Sequence, residues 1–323
     1  MKLCSSTLQR SANEAGNLDG GNGTGDVLEG LAEVSVEIDL GAKTGWSGAR
    51  IFASGHGLWG DDPSDFFVGD VNTVSNIAAY NTLRLIHLWW EQSWDDGRFA
   101  FRVGRFGIDD DMMGSETAAL FFNSAFGPLP ILSLNTPSPI WPLAAPALWA
   151  YWESSNGMWL QTGLYDGDAG EEETNDHGWE WRLGDGDGFV WAVEAGSGYR
   201  VGDLAGDWII GGFYNPGNYE SLDGGGPASG NWGAYAIVDQ QLMAPFEDGT
   251  DRLRGFLRIG YSPETGGNVA SGTVDAGVSG AVGFFNRNQD RWGVGLVWTG
   301  FSDLAMRHLG YPEAEKSSKR PIG

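Results

Sequence analysis

Between Thr82 and Gly107 the chain reads TLRLIHLWWEQSWDDGRFAFRVGRFG, which gathers Arg84, Trp89, Trp90, Glu91, Arg102 and Arg105 into two adjacent segments. Guanidinium groups donate paired hydrogen bonds from a planar fork, carboxylates accept them, and an indole offers a flat apolar surface. That set can bind a solute rich in hydroxyl groups. A second chemistry stays open: a secreted all-β enzyme acting on polysaccharide, with Glu91 and Glu180 as acid and base. Other catalytic arrangements lack a pattern. His56, His87, His177 and His308 are scattered with no HExxH spacing, no GxSxG elbow occurs, and Cys4 has no second cysteine to pair with. No metal and no cofactor is expected.

The elements that carry these residues read as strands. Asp95-Asp96-Gly97 separates two alternating runs and marks a hairpin, with strands over 82–94 and 98–107. In the second run Phe99, Phe101 and Val103 share one face, with Arg98, Ala100 and Arg102 opposite. Parity then raises a difficulty, because Arg102 and Arg105 are three residues apart and a regular strand cannot present both to one side. A bulge at Gly104, or a strand end there, reconciles them. Arg84 and Glu91 conflict in the same way, so Arg84 needs a bulge or a position at the rim.

The same alternation recurs along the chain. Val34, Val36 and Ile38 alternate with Glu33, Ser35 and Glu37; Leu253, Leu257, Ile259 and Tyr261 oppose Arg254 and Arg258; Trp292, Val294, Leu296 and Trp298 oppose Gly293 and Gly295. HGWEWRL, with His177, Trp179, Trp181 and Leu183 on one face, is expected to be a further strand. About 13 such segments occur. Trp and Tyr end several apolar faces, and the opposite faces are Gly, Glu, Arg and Gln, as a membrane-embedded barrel with a polar interior requires. GDGDGF at 184–189 reads as a hairpin turn, and YDGDAGEEE as a loop.

Composition bounds the partners. The 323 residues include 43 acidic and 19 basic side chains, for a formal charge of −24, which argues against nucleic acid. No run reaches the roughly 18 apolar residues of a membrane helix. From Asp109 to Pro146 the alternation stops. Ser115 is placed to cap a short helix, the later half is rich in proline, and the whole segment is expected to fold into a barrel lumen, with an external lid as the alternative.

GDVNTVSNIAAYNTLRLIHLWWEQSWDDGRFAFRVGRFGIDDDM, followed by ALFFNSAFGPLPILSLNTPSPIWPLAAPAL, resembles the carbohydrate-selective porins of the OprB family. LYDGD, GGFYNPGNY, GNWGAYAIVDQQL and GVGLVWTGFSD extend the resemblance over roughly residues 25 to 305. It implies an all-β protein, an antiparallel transmembrane β-barrel of a sixteen-stranded family with a long constriction loop at about 109–146. It also implies passive diffusion of monosaccharides such as glucose across the outer membrane, in contact with lipid and lipopolysaccharide, and in many porins as a homotrimer. By the same resemblance Arg84, Glu91, Arg102 and Arg105 lie at or near the constriction, with Trp89 as a stacking surface or a girdle residue.

Set against the family pattern, the sequence is expected to be missing a signal peptide, a first strand, the last strands and a terminal aromatic residue. The expectation is a chain truncated at both ends, with disordered segments at 1–25 and 306–323 around a barrel at 26–305. A truncated or unselective pore is the corresponding alternative.

Overall fold

The computed structural model describes residues 4–167, 169–170, 175–181, 188–222, 224, 226–247, 249–263, 266–282 and 290–308. Period-two alternation produces strands throughout. β1 to β5 span Cys4–Asn17, Gly25–Asp39, Ala49–Gly60, Thr82–Trp94 and Phe99–Phe106. β6 to β9 span Ala145–Glu153, Met158–Asp166, Phe189–Val201 and Leu204–Glu220. β10 to β13 span Pro227–Met243, Leu253–Tyr261, Ala270–Ala281 and Arg291–Phe301. The β4–β5 hairpin closes where its residues predict, with Asp95, Asp96 and Gly97 all at positive φ. Among the described residues no helix is long and apolar enough to cross a membrane, which says nothing of strands.

All thirteen strands form one sheet in which chain neighbours are spatial neighbours. The closed barrel expected from the sequence is overturned. The sheet runs from β1 to β13, and no hydrogen-bonded ladder joins those two strands. Parity supplies the physical reason. Every neighbouring pair is antiparallel, so β1 and β13 run in the same direction and cannot complete an antiparallel ladder with each other.

The expectation of a disordered segment over residues 1–25 is also corrected. β1 pairs with β2 without a break, from Cys4 opposite Ile38 to Asn17 opposite Gly25. Its polar sequence hides it, because a strand with Leu8 as its one large apolar residue shows no alternation of hydrophobicity. At the other end Asp303–His308 is helical, with Ser302 Oγ accepting from Ala305 N at 3.0 Å. Residues 309–323 and the turn residues 184–187 lie outside the described residues.

HGWEWRL is not a strand over its described part. Residues 175–181 form a turn, closed by Asn175 Nδ2 donating to Glu180 O and Glu180 N donating to Asn175 Oδ1, with Gly178 at φ +68°. Trp179 and Trp181 are exposed.

The two faces of the sheet differ in the sense a membrane wall requires. Leu83, Leu148, Ile210, Leu257, Leu296 and Trp298 are exposed on one face, whereas Glu91, Arg102, Glu194, Asp239, Arg258 and Asp275 are buried on the other. The segment 107–144, between β5 and β6, packs on that polar face. Trp141 bonds His56 of β3, Met113 N donates to Glu194 of β8, and the ring of Phe121 comes close enough to Gly293 of β13 to leave no room for a Cβ. Flat, eleven strands would span roughly 50 Å. One segment can touch both β3 and β13 only because the sheet curls round it.

The expected short helix is a single 3-10 turn at Ala118–Leu120, and its N-cap is Thr117 rather than Ser115, although Ala118 N donates to Ser115 Oγ at 3.0 Å. The far half is anchored by Asn135, which donates to Ala270 O at 2.7 Å and accepts from Ala270 N at 2.8 Å. Arg258 is the strongest clamp. It donates to Asp275 Oδ2 at 2.6 Å and to the carbonyls of Met113, Ala125 and Gly127. Arg258→Leu is expected to leave the buried Asp275 carboxylate without its partner, at a cost of about 3 kcal/mol. Limited proteolysis should then cut within 107–144 roughly a hundredfold faster than in the parent protein, with the strands untouched.

Candidate functional site

Strand register builds a row of charge across the inner face. Arg50 of β3 lies opposite Glu91 of β4, Glu91 opposite Arg102 of β5, and Arg102 opposite Trp149 of β6. Directly opposed residues on one face have Cβ atoms within about 5.5 Å, so these side chains meet. Arg50 Nη2 lies 2.6 Å from Glu91 Oε1, and Arg102 Nη2 lies 2.9 Å from Glu91 Oε2. Asp111, from the segment that fills the trough, completes the set with its Oδ2 at 2.6 Å from Arg102 Nη1.

The Arg102 guanidinium sits 4.5 Å from the Trp89 ring and 4.7 Å from that of Trp149, and Trp89 stacks on Phe52. Each such cation–π contact contributes about 0.5–2 kcal/mol when partly desolvated. Arg102 is thereby fixed in place, while Arg50 keeps 42% of its side-chain surface exposed. An open cavity of about 540 Å³ lies over the row, lined among others by Glu37, Arg50, Glu91, Arg102, Tyr151 and Gln161. It faces the end of the sheet that has the short connections 40–48 and 95–98.

Arg84 and Arg105 belong to a second cluster, toward the end with the long connections. Both parity conflicts are settled in the backbone. On β4 the register passes from His87 opposite Ser54 to Leu85 opposite Gly55, so Ile86 is an extra residue, and Arg84 returns to the inner face opposite His56. On β5 neither the bulge nor the strand end expected at Gly104 forms, since Gly104 and Arg105 keep register with Trp89 and Leu88 and the strand runs on to Phe106. Gly104 instead adopts φ +150°, a conformation open to glycine, and Arg105 is buried three residues after Arg102. A Cβ on Gly104 would stand 2.3 Å from Leu88 O. His87 bridges this cluster to the segment in the trough, with Nε2 2.9 Å from Asp110 Oδ2 and Nδ1 2.7 Å from Ser54 Oγ.

The five residues singled out from sequence thus fall into two groups: Trp89, Glu91 and Arg102 together, and Arg84 with Arg105. Arg50, Asp111 and Trp149 were missed. A signal existed for Arg50, whose strand ARIFASG alternates. Its pairing with Glu91 depended on register, which the alternation does not specify. Glu91 and Glu180 gain no acid–base geometry, since Glu91 is held by two arginines and Glu180 sits in the turn at the far end of β4. Among the described residues no group of three or more His, Cys, Asp or Glu is arranged to hold a metal ion.

Burial raises two carboxyl groups of the trough segment. Asp109 is pushed up to about 7 by burial and by the charge of Asp110, against the hydrogen bonds it accepts from Trp141 N. Asp111 is pushed up to about 6 by burial, partly offset by Arg102.

A family model described as "Carbohydrate-selective porin, OprB family" matches residues 29–305. No curated protein matches the chain. Among solved structures it is similar to OprB of Pseudomonas putida at high pH, with 20% identity and a TM-score of 0.84 over 95% of this chain and 77% of that one. The low-pH structure of the same protein gives 17% identity and a TM-score of 0.54 over 92% and 77%. At these identities the likeness is one of fold.

The raised carboxyls make docking of the trough segment depend on pH. An unfolded aspartate titrates near 3.9, so the docked segment holds protons that the released one gives up. The resulting penalty is absent below about pH 4, grows as pH rises through 6 and 7, and is constant above. Protection factors across 107–144, taken relative to the intrinsic exchange rate at each pH, are expected to be higher at pH 5 than at pH 8. Asp109→Asn, which keeps an acceptor for Trp141 N, should flatten most of that difference.

Proposed function

The chain belongs to the OprB family of carbohydrate-selective porins, which makes it an outer-membrane carbohydrate porin and not an enzyme, and we propose that within that role it selects monosaccharides such as glucose at the row Arg50–Glu91–Arg102. The observation that carries this reading is the clasp on Glu91. Two arginines hold it from both sides, beneath an open cavity, with the rings of Trp89 and Trp149 against the guanidinium of Arg102. A passing sugar exchanges its water for fixed donors and acceptors, and its apolar ring face meets an aromatic wall. The row is rigid because every charge in it has a partner, so hydroxyl spacing can be read without reorganisation.

Arg84 and Arg105 extend the same path toward the long connections. The apolar outer face, with Leu83, Leu296 and Trp298 exposed, suits contact with outer-membrane lipid and lipopolysaccharide. Removing a charge-assisted donor costs about 1.5–3 kcal/mol. In liposome swelling, glucose is expected to outpace a neutral solute of similar size in the parent protein. Arg102→Ala should lower that preference roughly tenfold while leaving the pore open. Equal preference before and after the substitution would remove the row from the selectivity mechanism.

A further inference from the structure

Arg84 and Arg105 are each 1% exposed, yet neither has a hydrogen-bond or ion-pair partner among the described residues. The other inward arginines are matched: Arg50 and Arg102 by Glu91, Arg254 by Asp207 and Asp251, Arg258 by Asp275. Buried charge is normally paired, so two adjacent exceptions define a local excess. The charged neighbour acting on Arg105 is Arg84 itself.

The unsatisfied atoms gather in one place. They are Nε, Nη1 and Nη2 of Arg84, Nε and Nη2 of Arg105, the hydroxyl of Tyr80, whose ring lies 5.5 Å beneath the Arg84 guanidinium, and Nε2 of His56 opposite Arg84 on β3. His56 Nε2 lies 3.7 Å from Glu33, and Asp110 is engaged with His87. All seven are donors or can donate, since Trp141 Nε1 donates to His56 Nδ1 and so leaves the ring proton on Nε2. Such a set calls for a ligand that only accepts.

One carboxylate stands near. Asp176 acts on Arg84 through its charge without forming an ion pair, and its own Oδ1 is buried and unpaired. It is delivered by the turn 175–181, which covers the two arginines. Thr82 Oγ1 donates to Asp176 O at 2.9 Å, Leu85 N donates to His177 O at 3.0 Å, and a Cβ on Gly178 would stand 3.2 Å from Arg105 Nη2. The turn therefore holds an internal carboxylate where an external one would compete.

We propose that Arg84, Arg105 and Tyr80 form an oxyanion subsite that takes the carboxylate of a sugar acid, and that Asp176 occupies its approach until the acid arrives. The assignment of a sugar acid rests on the reading of this lumen as a carbohydrate path. Inorganic phosphate offers the same oxygens, and the planar fork of arginine suits either. The subsite widens the substrate class from neutral sugars to uronic and aldonic acids.

Calorimetric titration of the full chain in detergent, with glucuronate, glucose and inorganic phosphate as separate ligands, tests this without requiring an open pore. Glucuronate is expected to bind at least about tenfold tighter than glucose. The double variant Arg84→Gln, Arg105→Gln should bring it to the level of glucose. Asp176→Asn, which leaves both arginines in place, should tighten glucuronate severalfold. Equal affinity for glucuronate and glucose, or a double variant that binds as the parent does, overturns the subsite. Phosphate binding tighter than glucuronate overturns the sugar acid as its occupant. Liposomes that fail to swell in glucose while glucuronate still binds would overturn the monosaccharide path and support the subsite.

Discussion

Irregular backbone can lie against a sheet only where the wall supplies partners for its peptide groups. That constraint shapes the inner face. The segment 107–144 offers free carbonyls at Met113, Ala125 and Gly127 and free amides at Met113 and Thr117, and the wall answers with Arg258, Glu194 and Asp239. Each of these is buried and charged, at a position where a soluble sheet would place an apolar side chain. The outer face carries the apolar residues instead. A single requirement, satisfying the segment, thus accounts for both the polarity of the interior and the sense of the alternation.

The charged row at Arg50, Glu91 and Arg102 follows a different logic. Buried ion pairs gain little net stability, because desolvation consumes most of the Coulomb attraction. A wall of packed aliphatic residues at the same positions would serve folding as well. What the row provides is a fixed array of donors and acceptors, with Arg102 locked between two indole rings and tied to Asp111 of the inner segment. The row and the segment are therefore structurally coupled, since the segment packed in the trough also completes the array.

The edges of the sheet impose their own demand. Unpaired strand edges are costly in a bilayer and prone to association in water. β1 is polar along most of its length, which blunts that edge. From within, Asn13 of β1 donates to Ser75 Oγ, and Asn72 donates to Thr299 Oγ1 of β13. The short stretch 72–75 thus holds both edge strands from the interior, where no ladder joins them.

Alternating strands such as β2, β4, β5, β11 and β13, the β4–β5 turn and the interruption at 109–146 were readable in the residues, because alternation and turn chemistry are local. So was the need for irregularity beside Arg84 and at Gly104, since parity is arithmetic. Where the irregularity falls beside Arg84, at Ile86, depends on pairing with β3. β1 was invisible, because polar residues become a strand only when β2 offers a ladder. HGWEWRL reads as a strand by pattern, yet it is a turn held by Asn175 and docked on β4. Arg50, Asp111 and Trp149 joined the site through register and through the path of the inner segment, and both of these are relations between distant parts of the chain. Closure was decided at the same level: thirteen antiparallel strands leave β1 and β13 running the same way, and no single strand carries that information.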